Sequence, residues 1–173
     1  MLVKVISGGE PGAEQAALDA AMDAGLEHGG WIPAGRATEA GSLPDEFLLA
    51  ELSSEDPEAA SERNVEEADG TVVFFLGRKP SRCVRAAELS SRRRKPLLEV
   101  DLDGNGPSEV VQALAIWLRL YEIAVLHVTG PRASEEFRAY ARVRAVMSLL
   151  MEPPRPGCTP VLRTAFLRSG PRC

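Results

Sequence analysis

Three segments of the 173-residue chain combine residue types that can hold an anion. Ser7-Gly8-Gly9-Glu10-Pro11-Gly12 follows a short β-branched run and precedes an alanine-rich stretch. In a strand-to-helix turn of that kind, glycines let backbone N–H groups approach a phosphate with no Cβ in the way. The same glycines also serve a plain tight turn that needs positive φ, and the Glu10 carboxylate repels phosphate unless it points away or meets a ligand hydroxyl. Thr129-Gly130-Pro131-Arg132-Ala133-Ser134 is the second such turn. It adds a guanidinium able to grip phosphate or carboxylate in bidentate fashion, making Arg132 the leading contact candidate. The alternative is that Ser134 only caps the following helix while Arg132 pairs with an acidic neighbour. The third segment, His28-Gly29-Gly30-Trp31-Ile32-Pro33-Ala34-Gly35-Arg36, places an aromatic ring and a cation after two glycines. Trp31 can stack on a heterocycle or plug the core, and His28 has no visible catalytic partner.

These turns need elements to position them, and the pattern supplies strands and helices in alternation. Leu2 to Ile6 reads as a strand and Ala13 to Ala24 as a helix closed by Gly25. After His28-Gly29-Gly30-Trp31 the chain enters a long stretch through Pro33, Gly35, Gly41 and Pro44 that is rich in turn formers and reads as an irregular surface loop. Pro57 to Ala68 fits an exposed acidic helix, and Thr71 to Leu76 a strand apolar on both faces, as in a buried parallel sheet. Helices over Ser81 to Arg92, Pro107 to Leu120 (Trp117 inward) and Ser134 to Leu150 alternate with strands at Pro96 to Val100 and Ile123 to Val128. Strands separated by helices imply parallel pairing with right-handed crossovers, hence an α/β, Rossmann-like three-layer fold with helices on both faces. In such sheets ligands bind beyond the carboxyl ends of the strands. The domain is expected to span 1–152, leaving a flexible Pro/Arg-rich tail at 153–173.

Composition narrows the ligand class. With 25 acidic and 20 basic side chains the formal charge is −5, so no overall positive field draws in nucleic acid or an anionic membrane. Three cysteines, Cys83, Cys158 and Cys173, lack CxxC spacing and a histidine cluster. That argues against a disulfide framework and a metal site, and fits a reducing cytoplasm. The N-terminal apolar run is too short for a signal peptide, and no stretch reaches the roughly 20 apolar residues of a membrane span.

Taken together, Ser7-Gly8-Gly9 with Ala17-Leu18-Asp19, the Gly29 to Arg36 segment, Asn64-Val65, Ala68-Asp69-Gly70-Thr71 and Gly130 to Ser134 resemble the molybdenum carrier family. That family sits in the wider SLOG nucleotide-binding superfamily with the LOG phosphoribohydrolases and the DprA-like proteins. The resemblance runs from about Val3 to Leu150. It implies a Rossmann-like homo-oligomer, a dimer or tetramer, that binds molybdenum cofactor (molybdopterin) or a related nucleotide-like pterin phosphate without performing chemistry. The positions that match are Gly8, Gly9, Gly12, Asp19, Gly30, Trp31, Arg36, Glu39, Asn64, Asp69, Thr71, Gly130, Arg132 and Ser134. Where the family carries Gly-Gly-Thr, this chain has Ser81-Arg82-Cys83, and the lost glycines add Cβ atoms while Arg82 and Arg85 bring charge in place of N–H donors. Other departures are Glu10-Pro11 for Gln-Thr, Glu14-Gln15 for Asp-Arg, and Ile32 and Ala34 for Cys and Lys. Two other readings stand beside a carrier. One is a LOG-type nucleoside monophosphate hydrolase with Glu88 and Arg85 as its working pair. The other is a ligand-free scaffold whose tail docks a protein partner.

Overall fold

A computed structural model of the chain describes residues 1–152. The Pro/Arg-rich tail and its expected flexibility lie outside the described residues. Five parallel strands form the central sheet: β1 (Lys4–Ile6), β2 (Glu27–Gly29), β7 (Gly70–Phe75), β8 (Leu97–Asp101) and β9 (Val125–Thr129), in the spatial order β2-β1-β9-β7-β8. The helices are α1 (Ala13–Asp23), α2 (Pro57–Glu67), α3 (Ser81–Arg92), α4 (Pro107–Leu120) and α5 (Ala139–Met151).

Side-chain alternation divides the sheet into two faces. Val72 and Phe74 of β7 and Leu126 and Val128 of β9 enter one core with the alanines of α1 and the inner faces of α4 and α5. Small residues at Ala13, Ala16, Ala17, Ala20 and Ala21 let α1 lie close to its neighbours. On the opposite face Val73 meets Cys83 and Ala86 of α3. The intervening residues of β9 on that face are His127 and Thr129, both buried.

Two expectations need correction. The stretch after Trp31 is not wholly irregular, and the residues between Gly25 and Trp31, to which the sequence reading assigns no element, hold a strand. Glu27–Gly29 is the edge strand β2, paired in parallel with β1, and short pairs follow: β3 (Trp31–Ile32) with β6 (Ala50–Glu51), and β4 (Ala37–Thr38) with β5 (Gly41–Ser42). Glu27-His28-Gly29 lacks the apolar character of a two-face-buried strand because it lies at the sheet edge. The last helix begins at Ala139 rather than Ser134. Residues 131–138 form turns instead, with the Glu135 and Glu136 amides bonding the Arg132 carbonyl. The Gly130 turn therefore carries no helix macrodipole of its own.

Counted along the chain, the main-sheet strands lie in the order second, first, fifth, third, fourth. Starting the count at β9 instead gives third, second, first, fourth, fifth, which is the doubly wound order. The switch point of that order falls between β9 and β7, where α5 leaves on one face and α3 on the other.

Candidate functional site at the sheet switch point

A cleft of about 210 Å³ opens at that switch point, lined by the Gly8 turn, the first turns of α2 and α3, the end of β9 and Arg132. Its floor is polar and buried. The carboxylate of Glu14, 3 % exposed, accepts hydrogen bonds from an Arg82 Nη2 and from Thr129 Oγ1 (2.8 Å), and its second oxygen accepts the Glu10 amide (3.1 Å). His127 stands beside Thr71, its register partner on β7, with Nδ1 and Oγ1 3.3 Å apart. Burial, opposed by Glu14 and aided by Arg82, pushes the His127 imidazole down to about 4, so it is neutral near pH 7.

Three guanidinium groups reach this cleft from two elements: Arg82 and Arg85 from the first turns of α3, and Arg132 from the turn after β9. Three carboxylates face them. Arg82 pairs with Glu14, Arg85 with Glu58 at the start of α2, and Arg132 Nη2 with Glu10 at 2.8 Å. The pairing leaves cationic donors unspent. Arg82 Nη1 and Arg132 Nε are buried and hydrogen-bond to nothing among the described residues. Burial opposes the charge on Arg82, but Glu14 and Glu10 outweigh it and hold its pKa above the ordinary value.

The structure brings together only part of the site read from sequence. Gly8, Arg82, Arg85 and Arg132 line the cleft. The two glycine turns do converge, and two amides there bond from one turn to the other. Ala13 N–H bonds the Pro131 carbonyl (3.1 Å) and Ala133 N–H the Pro11 carbonyl (2.8 Å). The glycines serve these close approaches: a Cβ on Gly12 (φ +114°) would sit 2.6 Å from the Pro131 carbonyl oxygen, and one on Gly130 would lie 2.6 Å from the Ala13 Cβ. A Cβ on Gly9 would run into Leu43, and Ser7 Oγ donates to the Val128 carbonyl (2.9 Å). The Ser134 amide and hydroxyl both donate to Glu39.

Trp31 and Arg36 are engaged elsewhere, which corrects the expectation that they close over a ligand ring. The backbone of Trp31 is clamped by the buried Asn64 side chain, which accepts its N–H (2.8 Å) and donates to its carbonyl (2.9 Å). The indole N–H donates to Glu67 and the ring carries Arg63 at 5.0 Å. Arg36 directs its guanidinium at four loop carbonyls, those of Leu43, Pro44, Phe47 and Leu49. Asp19 accepts the Tyr140 hydroxyl, and Asp69 accepts the Ala124 and Val125 amides, so both hold elements together. Glu88 is exposed and paired with Arg85. His127 is the site residue that sequence reading missed, along with Glu14, which stood out only as a departure from the family pattern. The signal was present: His127 and Thr129 alternate with Leu126 and Val128, setting polar groups on one face of a central strand.

A parallel sheet in permuted doubly wound order with its cleft at the switch point defines a Rossmann-like α/β protein. The chain belongs to the circularly permutated YpsA SLOG family, whose profile matches residues 5–151. Among solved structures it is similar to the "Putative molybdenum carrier protein" of Syntrophus aciditrophicus SB, determined at 1.45 Å resolution. The two share 31 % identity and a TM-score of 0.84, over 86 % of this chain and 94 % of that one. Among curated proteins nothing matches the chain. No helix among the described residues is long and apolar enough to cross a membrane.

Proposed function

We propose that the chain is a non-enzymatic binding protein for a phosphate-bearing, nucleotide-like small molecule, and that its site is the switch-point cleft. The observation that carries this reading is the convergence of Arg82, Arg85 and Arg132 with two buried guanidinium N–H groups unspent. A buried cationic donor without a partner is costly, and an oxyanion placed there makes the short charge-assisted bonds that remove the cost. The cleft lies below the roughly 300 Å³ at which drug-sized pockets begin. It suits a phosphate with its sugar or the edge of a ring, the rest of the ligand lying toward solvent.

The similar structure is named a molybdenum carrier, and the sequence resemblance implies molybdenum cofactor as the ligand class. The donor set fits the phosphate of such a cofactor rather than its metal. Among the described residues no group of three His, Cys, Asp or Glu could hold a metal ion. Cys83, the one cysteine described, is buried, with its thiol pushed up to about 12. Arg82 and Arg132 would hold the phosphate, and neutral His127 would offer a hydrogen-bonding edge to the attached group. The LOG-type hydrolase reading retains Arg85 in the cleft but finds Glu88 exposed beside it.

Thermal unfolding with molybdopterin, molybdate, AMP and GMP tests the proposal. A ligand that binds only the folded state raises the Tm by mass action. The phosphate-bearing compounds are expected to do so, and Arg82→Gln to weaken them about tenfold or more. Absence of a shift with all four compounds would favour the scaffold reading. Release of free base from AMP or GMP would overturn the non-enzymatic assignment. In the same reading the chain self-associates as a dimer or tetramer, which light scattering of the full-length protein checks.

A further inference from the structure

The cleft is formally neutral, because the carboxylates of Glu10, Glu14 and Glu58 offset the guanidinium groups of Arg82, Arg85 and Arg132. A phosphate entering such a site must displace a carboxylate or leave an uncompensated charge. Glu14 cannot yield, since it is buried under three hydrogen bonds. Next to the cleft the contacts are different, where Ala37 and Arg132 line it and Glu39 and Ser134 lie two residues further along their segments. Glu39, exposed at the tip of the β4–β5 hairpin, takes both the amide and the hydroxyl of Ser134, at 95 residues' separation. Its own N–H donates to one oxygen of Glu10 (3.2 Å), whose other oxygen holds Arg132. The Ser134 amide and hydroxyl that Glu39 takes, and the Arg132 guanidinium that Glu10 takes, are donors of the kinds a phosphate monoester uses. Desolvation disfavours charge on Glu39, but Ser134, Arg132 and Arg82 outweigh it and keep the carboxyl below its ordinary range.

Resting on the binding reading above, we infer that Glu39 is a built-in competitor for the site. The hairpin seats a carboxylate on donors that a ligand phosphate uses, so ligand entry and hairpin release are one event. A phosphate dianion brings more charge and a third acceptor oxygen to the same donors, which is how it wins the exchange. The hairpin can leave cheaply: each of its strands is two residues long, and its ends join a loop that Arg36 anchors independently. The ligand selected in this way carries a terminal phosphate monoester. A neutral heterocycle, or an anion of single charge, competes poorly with a carboxylate already in place.

Calorimetric titration with inorganic phosphate and with AMP tests the exchange in full-length wild type, Glu39→Ala and Arg82→Gln. Glu39 is exposed, so its removal leaves the fold intact, which circular dichroism checks. Glu39→Ala is expected to bind both probes roughly tenfold tighter than wild type. Ligand addition to wild type is expected to speed amide hydrogen exchange across residues 37–42. Binding by wild type that Arg82→Gln abolishes and Glu39→Ala leaves unchanged or weakens would overturn the competitor while sparing the binding reading. Binding by Glu39→Ala alone supports the competitor. Absence of binding by both of these proteins overturns both readings.

Discussion

Arg36 and Arg82 look alike in the sequence, each in a segment that could close on an anion, yet they sit in regions built on opposite principles. Around Arg36 the chain from Trp31 to Glu51 makes little regular structure, and the guanidinium replaces it by gathering four carbonyls from one loop. All three guanidinium nitrogens of Arg36 find acceptors within the protein. Around Arg82 regular elements do the positioning: α3 carries the cation, α1 its carboxylate partner, and β9 the floor. There one donor nitrogen is left over. An arginine becomes a ligand contact when rigid elements hold it and leave a buried nitrogen without an acceptor. The same accounting separates the glycines, most of which serve contact between chain segments rather than approach of a ligand.

The sharpest way to break the first region is Gly30→Ala. Gly30 has φ +126°, and a Cβ there would collide with the Ser7 carbonyl oxygen and lie 2.8 Å from Asn64 Oδ1. Strained backbone and backbone overlap add, so a loss of roughly 4 kcal/mol is expected. In a chain of this size that lowers the Tm by about 10 °C or more. Gly35→Ala, with φ +80° but open space around the new methyl, should cost only about 1 kcal/mol. Thermal unfolding of the two variants checks this contrast. Equal losses would mean that backbone conformation alone, and not the seam between β1 and the Trp31 segment, decides stability there.

The second region has its own signature in pH. His127 titrates at about 4 in the folded chain, because burial disfavours the imidazolium more than Glu14 favours it, whereas the unfolded chain takes the proton near 6.5. The unfolded state therefore binds the proton first as pH falls. Stability is full above about 6.5 and declines toward 4, by on the order of 3 kcal/mol in all. Urea unfolding at pH 7 and pH 5 should show the decline in wild type, with a flatter profile in His127→Asn. The same profile in both proteins would place the titration elsewhere, leaving the floor of the cleft without its neutral imidazole.

Alternation of apolar strands with helices at Ala13, Ser81 and Pro107 was legible in the sequence because burial on both faces writes a continuous apolar run. Strand β2 was not, since Glu27-His28-Gly29 sits at the sheet edge and bears no such mark. The start of α5 was misplaced because Ser134 and Glu135 look like a helix beginning, yet Ser134 spends its donors on Glu39, 95 residues away. Sequence reading found Arg82, Arg85 and Arg132 as cations that can meet an anion. It did not find that Glu14, Glu58 and Glu10 would face them. Which cation meets which carboxylate is set by strand order, and the order β2-β1-β9-β7-β8 brings the first turn of the chain beside its last strand.

The smallest expected effects give the finest test of the contrast between the two arginines, because both substitutions keep the charge. Arg36→Lys replaces a planar fork by a single ammonium that cannot reach all four carbonyls. Its expected cost is about 1–2 kcal/mol of stability, seen as a lower Tm, with phosphate affinity unchanged. Arg82→Lys should do the reverse. The ammonium still neutralises Glu14, so the Tm moves little, but the spare donor nitrogen is gone and phosphate binding should weaken roughly tenfold. Thermal unfolding and calorimetric titration on the two proteins supply the four numbers. If Arg36→Lys weakens binding, the loop it organises belongs to the site. If Arg82→Lys lowers the Tm as far as Arg36→Lys does, the donor left over on Arg82 is a cost borne for the ion pair with Glu14, and no ligand need be invoked to explain it.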